Sequence, residues 1–389
     1  MIAGNIRKYF IFSFIYNMYL WLPVWVLFLL EKGFSLTQIT LLDTFYFITI
    51  FAIGVPTGIF SDKIGRKKAL SLGSFLTALA LFLFAESDGV ASVMCSFFVW
   101  ACGLTLSGVS GTAFLFDTLK MIGREGEFKK INGQSLFFAN VSMAISSLLG
   151  GFMAGISLKL PILVAAGLCL ISFLITLSFT EPLSFPTKES YMGHLKESVN
   201  FTRSVPSLMI LVVLGMCVSL FTYMALLFAQ PYLIRLGKSL AFIGIMYFFF
   251  NLATALSAPL AHVVERKVGE RKIVLIIPAS FLLCFLFLSV GRLVIPAFIA
   301  LNVASGFSQP LLNDYLNRRI PTEKRGTVIS FQTALLAAVQ LFFEPALGYT
   351  SDRFTLKTSF FILSCACVIL FLFTLSNRSS LKHPSGEHK

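Results

Sequence analysis

The sequence predicts an all-helical integral membrane protein whose twelve transmembrane helices form two six-helix bundles, and three observations support that expectation. First, 57% of the 389 residues are apolar, 43 of them phenylalanine, while only 13% are charged, against roughly 25% in a typical soluble domain. Mean hydropathy is accordingly high, at +0.85. Second, the apolar residues gather into stretches of the length needed to cross a hydrocarbon layer about 30 Å thick. Third, Lys and Arg fall on alternate sides of those stretches.

The spans are expected at 9 to 30, 38 to 60, 69 to 86, 90 to 116, 133 to 156, 159 to 179, 207 to 231, 240 to 263, 273 to 290, 292 to 316, 327 to 349 and 356 to 376. Each is expected to be helical, because hydrocarbon offers no water to satisfy backbone N–H and C=O groups. Met1 to Lys8 is short and basic without the features of a cleavable signal, so the first span is expected to stay in the mature chain. Alternation then justifies each element in turn. One side collects the N-terminus, the connections after spans 2, 4, 6, 8 and 10, and the tail, and holds 24 of the 31 bases; Lys32, Lys159, Arg235, Lys238, Arg292, Arg353 and Lys357 fall on the other. The positive-inside rule places both termini in the cytoplasm, and the chain is expected in the cell (plasma) membrane.

The long polar connection 181 to 206 divides the spans six to six. The expected organisation is a bundle at 1 to 180, a cytoplasmic linker, a second bundle at 207 to 377 and a tail at 378 to 389. The net charge of +13 is explained by short basic loops abutting spans and facing lipid headgroups, not by nucleic acid. All seven cysteines lie in apolar stretches and read as small buried hydrophobes. With four histidines and no HExxH, paired CxxC or phosphate loop, no metal or other cofactor is expected, and neither is an enzyme.

The most informative polar segment, GIFSDKIGRKK at 58 to 68, follows span 2. Its DKIGRKK aligns without gaps on RKVGERK at 266 to 272, after span 8, and its GIFSDK aligns on GYTSDR at 348 to 353, at the end of span 11. With GGFMAGISLK at the end of span 5, related helix ends recur every three spans. That period suggests four three-helix units, two inverted repeats in each half.

In this setting GIFSDKIGRKK resembles the loop 2/3 signature of the major facilitator superfamily, G-x-x-x-D-[RK]-x-G-[RK]-[RK], and the twelve spans, the 6+6 division and the degenerate copy after span 8 match that family along the whole chain. The resemblance implies an alternating-access secondary transporter with spans 1, 4, 7 and 10 lining a central cavity. It further implies a conformational latch of Gly58, Asp62, Gly65, Arg66 and Asp117. In it Asp62 faces the start of span 11 at Gly326 and Thr327, where a helix dipole favours a carboxylate by about 0.3 to 1 kcal/mol, and Arg66 pairs with Asp117. The two glycines are expected to permit close packing and a tight turn. Span 4 carries no arginine, where many proton-coupled members have one.

Helical spacing supplies cavity candidates. Asn302, Gly306, Gln309 and Asn313 form a stripe on span 10; Ser219, Tyr223 and Gln230 share a face of span 7; Gly103, Ser107, Ser110, Phe114 and Asp117 one of span 4; and Ser13, Asn17 and Trp21 one of span 1. Each also fits interhelical hydrogen bonding or packing. Asp43 and Glu344 are the intramembrane acids and hence candidate proton carriers; either also fits an interfacial, hydrogen-bonded acid. An uncharged, aromatic and amide-lined cavity suits a hydrophobic or amphipathic solute. Proton-linked efflux by a monomer in contact with membrane lipid is the expected function, with uptake or facilitated diffusion of a neutral metabolite as the alternative within transport. A non-transporting sensor or lipid-modifying protein is the alternative outside it.

Overall fold

The computed structural model describes residues 2, 4–183, 205–320 and 324–381, with the side chains of residues 55, 325–327 and 381 excepted. Among the described residues there are fourteen α-helices and no strands. They are α1 (Gly4–Tyr16), α2 (Trp25–Glu31), α3 (Leu36–Ile64), α4 (Arg66–Ala85), α5 (Val90–Met121), α6 (Phe128–Ala154), α7 (Lys159–Leu177), α8 (Pro206–Arg235), α9 (Leu240–Ser257), α10 (Ala261–Val268), α11 (Glu270–Val290), α12 (Val294–Arg319), α13 (Arg325–Arg353) and α14 (Leu356–Ser376). Among the described residues eleven helical runs are long and apolar enough to cross a membrane, α9 and α10 counting as one run through a 3-10 turn at Ala258–Leu260. Pro259, which has no N–H to donate, sits in that turn.

The first expected span departs from a single helix. Its thirteen-residue α1 ends at Tyr16 and its seven-residue α2 begins at Trp25, each too short to cross alone. Between them the backbone makes only short turns, such as Tyr19 N–H to Asn17 O and Val24 N–H to Trp21 O, at 2.9 and 3.0 Å. Pro23 has no N–H to carry a helix through. Protein takes the place of water here. The Asn17 amide donates to Ser13 O at 2.7 Å, and Ser142 of α6 donates to Phe14 O at 2.5 Å. Gly150 of α6 lies so near Leu20 O that a Cβ on it would stand 1.9 Å away. Buried irregular backbone of this kind is tolerated at membrane depth only when protein covers it.

The chain divides into two compact units, Met1–Glu189 with Leu233–Phe248, and Ser190–Tyr232 with Phe249–Lys389. Within the first, α4 and α5 touch backbone to backbone: a Cβ on Gly73 would lie 2.7 Å from Ser107 N, and one on Gly103 2.7 Å from Thr77 N. Small residues let membrane helices approach this closely. The start of α9 joins the same unit through Gly244, whose Cβ position falls 2.6 Å from Gly151 Cα of α6. In the second unit the core is phenylalanine: Phe221, Phe281, Phe285, Phe298 and Phe360 are all buried, and their rings meet at centroid distances near 6 Å.

Candidate functional site

The turn between α3 and α4 is built around Gly65, at φ 98° and ψ 151°. A side chain is strained at this positive φ, so glycine permits the chain to leave one helix and enter the next without a loop. The next residue, Arg66, is buried and forms ion pairs with Asp62 one turn back and with Asp117 Oδ2 of α5 at 3.4 Å. Its guanidinium also reaches Ser61 Oγ at 3.4 Å, and Ser61 shares a 2.8 Å hydrogen bond with Ser110 of α5. Three helices are thus tied at one guanidinium.

Glu181 completes the arrangement, and sequence reasoning missed it. Its carboxylate accepts the Lys67 N–H at 3.0 Å and stands 3.0 Å from where a Gly65 Cβ would be. It therefore caps the N-terminus of α4, a position that favours negative charge. Glu181 is held there by Thr180, whose backbone N–H donates to Asn5 Oδ1 at 3.0 Å while its C=O accepts from Asn5 Nδ2 at 2.9 Å. A carboxylate 114 residues away in sequence left no local signal beyond being the first acid after the sixth span.

Gly58 was expected to permit close packing; among the described residues none lies within 4 Å of its Cβ position, and the close approaches described are those of Gly73 and Gly103. The expected partners of Asp62 at Gly326 and Thr327 lie outside the described side chains. In the connection after α5, Arg124 binds both carboxylate oxygens of Glu127, at 2.6 and 2.7 Å, and holds that carboxyl below its ordinary range.

Of the cavity candidates, Ser107 and Ser110 lie inside the helix packing, against Gly73 of α4 and Ser61 of α3 respectively. Phe114 stacks on Phe179 at 4.7 Å. Asn17 acts on the end of α1, and Trp21 leaves the face expected for it because the helical period stops at Tyr16. Its ring stands edge-on to Trp100 at 4.6 Å, and Trp100 stacks on Tyr46 at 4.6 Å. All three tryptophans of the chain, with Phe84 and Phe97, line a small apolar void.

On α12, Asn302 is buried, donating to Phe298 O at 2.9 Å and accepting through its C=O from Thr254 of α9 at 3.2 Å. Gln309 donates to Ser219 of α8 at 3.2 Å, whereas Asn313, further along the stripe, is exposed. On α8, Tyr223 is half-buried and Gln230 buried. Asp43 on α3 and Glu344 on α13, the latter just before Pro345, are both buried within apolar spans. Among the described residues no group of three or more His, Cys, Asp or Glu is placed to hold a metal.

The chain is 22% identical over 369 residues to the uncharacterized MFS-type transporter YxaM of Bacillus subtilis, covering 91% of this chain and 90% of that protein. It is 23% identical over 177 residues to the quinolone resistance protein NorA of Staphylococcus aureus, covering 45% of this chain and 43% of NorA. Its fold superposes on that of the nucleoside transporter NupG with a TM-score of 0.78 at 14% identity, covering 97% of this chain and 99% of that one. A bacterial homolog of the human lysosomal transporter Spinster, in an inward-facing and occupied conformation, superposes with a TM-score of 0.79 at 13% identity, covering 98% and 99%. The sequence model of the Major Facilitator Superfamily matches residues 9–336. Two bundles built largely of long apolar helices, a glycine-centred basic turn between α3 and α4, and that match together make this chain a membrane transporter of the Major Facilitator Superfamily and not an enzyme.

Proposed function

We propose that this transporter works by alternating access and exports hydrophobic or amphipathic compounds in exchange for protons. The observation that carries the reading is the pair of buried carboxyls, Asp43 and Glu344, set in spans where an ionisable group is costly and kept for function. The exposed amide of Asn313, the Gln309 amide and the half-buried Tyr223 offer a solute hydrogen bonds and ring surface without fixed charge. NorA, similar over part of its length, is named for quinolone resistance; that likeness supports export of amphipathic compounds by this chain. The Arg66 cluster is the latch in this scheme, its ion pairs holding α3, α4 and α5 together in one state and rearranging in the other.

The test is purified protein in liposomes with an imposed pH gradient, offered lipophilic cations, sugars and peptides. Flux of a lipophilic cation that follows the gradient supports the proposal. Flux of every solute that ignores the gradient removes the proton from it.

A further inference from the structure

The break between α1 and α2 takes Trp21 off its helical face and sets it in a cluster of rings. Trp21 and Trp25, with Trp100 of α5, border one apolar void, and the chain has no other tryptophan. Trp21, Trp25 and Tyr46 are buried, whereas Trp100 is half-buried and forms the rim of the cluster. Trp100 stacks on Tyr46 of α3 with centroids 4.6 Å apart and planes 22° from parallel, and it meets Trp21 at 4.6 Å and 85°. One flat ring is thus held by a stacked neighbour on one side and an edge-on neighbour on the other, the two arrangements aromatic quadrupoles favour.

The lining of the void carries one idle polar group. Trp21 is only 5% exposed, and its Nε1 is buried with no hydrogen-bond partner among the described residues. The ring face of Trp100 is a weak acceptor compared with an oxygen. Ser96, the other polar residue of the lining, already donates its hydroxyl to Val93 O at 2.8 Å. No charged side chain lines the void. Buried donors are normally paired, so a ligand that gives this N–H an oxygen, and gives the walls an uncharged ring, matches both features.

We propose that this cluster binds the flat aromatic part of an amphipathic solute that bears a carbonyl oxygen. The solute's ring takes the place of Trp100 between Tyr46 and Trp21, Trp100 swings outward, and Trp21 Nε1 donates to the carbonyl. Trp100 is the side chain able to yield, since it is half-buried and borders the void, and its rotation requires no helix to move. The interrupted backbone alongside is in keeping with a ligand site, because non-helical chain at membrane depth is tolerated where protein covers it or where it lines a cavity. This assignment rests on the reading that amphipathic solutes are carried, and it names their class. Binding requires neither a gradient nor flux, so it can fail while proton-linked export stands, and the reverse.

Because every tryptophan of the chain borders the void, the intrinsic fluorescence of the full-length protein in detergent reports on the site without a label. The probes are 4-bromoacetophenone and 1-bromo-4-ethylbenzene, which share a ring and a bromine that quenches indole on contact, and differ in the carbonyl. Saturable quenching by both is expected, with the ketone bound about tenfold more tightly through its hydrogen bond to an otherwise unpaired donor. Trp21→Phe keeps a ring and removes the N–H, and should bring the ketone down to the affinity of the hydrocarbon. Trp100→Leu removes the ring that the ligand displaces, and should tighten binding of both probes about threefold. Any of four results overturns the site: quenching that rises without saturation, as for partition into detergent; equal affinity of the parent for the two probes; a preference for the ketone that survives Trp21→Phe; or weaker binding to Trp100→Leu. The comparison of the two probes on the parent needs no variant, and so decides the matter even where a variant cannot be purified.

Discussion

Arg66 occupies a place where a base is ordinarily unfavourable, the first turn of a helix whose N-terminal dipole repels it. Three carboxylates offset this: Asp62 and Asp117 pair with the guanidinium, and Glu181 takes the free N–H of Lys67. Replacing Glu181 by Ala removes a helix cap and is expected to cost about 1 kcal/mol, read as a lower thermal midpoint of the purified protein. Asp62→Asn should lower the transport rate while leaving the yield of folded protein intact; transport kinetics matching the parent's would remove Asp62 from the latch. At this scale the sequence displayed Asp62, Gly65 and Arg66, because their types and spacing are local properties, while Asp117, 51 residues from Arg66, entered through the family resemblance. Glu181 was not legible, since only folding brings residue 181 to residue 67.

Among the elements, the interrupted first span and the α4–α5 contact decide how the N-terminal unit packs. Gly150→Ala drives a methyl into the Leu20 carbonyl, which is backbone and cannot swing aside, and Gly73→Ala drives one into Ser107 N. Overpacking of this kind costs about 1 to 3 kcal/mol, so both variants should melt earlier and give less monodisperse protein. Gly58→Ala is the control: among the described residues nothing lies within 4 Å of its Cβ position, and alanine is favoured over glycine inside a helix by about 0.5 to 1 kcal/mol. A midpoint equal to or above the parent's is expected. Hydropathy located the first span but not its break, because Asn17 to Val24 is apolar enough to belong to a helix. What makes the break tolerable, Ser142 and Gly150 of α6, lies more than a hundred residues away.

For the whole molecule, the proposed proton coupling is tested at its two buried acids. Asp43→Asn and Glu344→Gln each remove a buried ionisable group while nearly preserving volume. If either acid carries the coupled proton, its amide variant should lose gradient-driven accumulation in liposomes yet keep downhill exchange. A variant that accumulates solute as the parent does frees that acid from the coupling role.

Helical class and the glycine-centred turn with its repeat followed from the sequence alone, because hydrocarbon permits one local solution for a long apolar segment and a positive-φ turn between helices calls for glycine. Only the tertiary structure decided which polar residues face one another. Periodicity puts Ser107 and Ser110 on polar faces, but a face has no partner until helices pack, and packing turned both toward neighbouring helices, while the Asn302 amide bonds back to Phe298 O of its own helix. The same packing set Arg66 beside Asp117 and Glu270 beside Arg319, ion pairs whose two members lie about fifty residues apart in the chain.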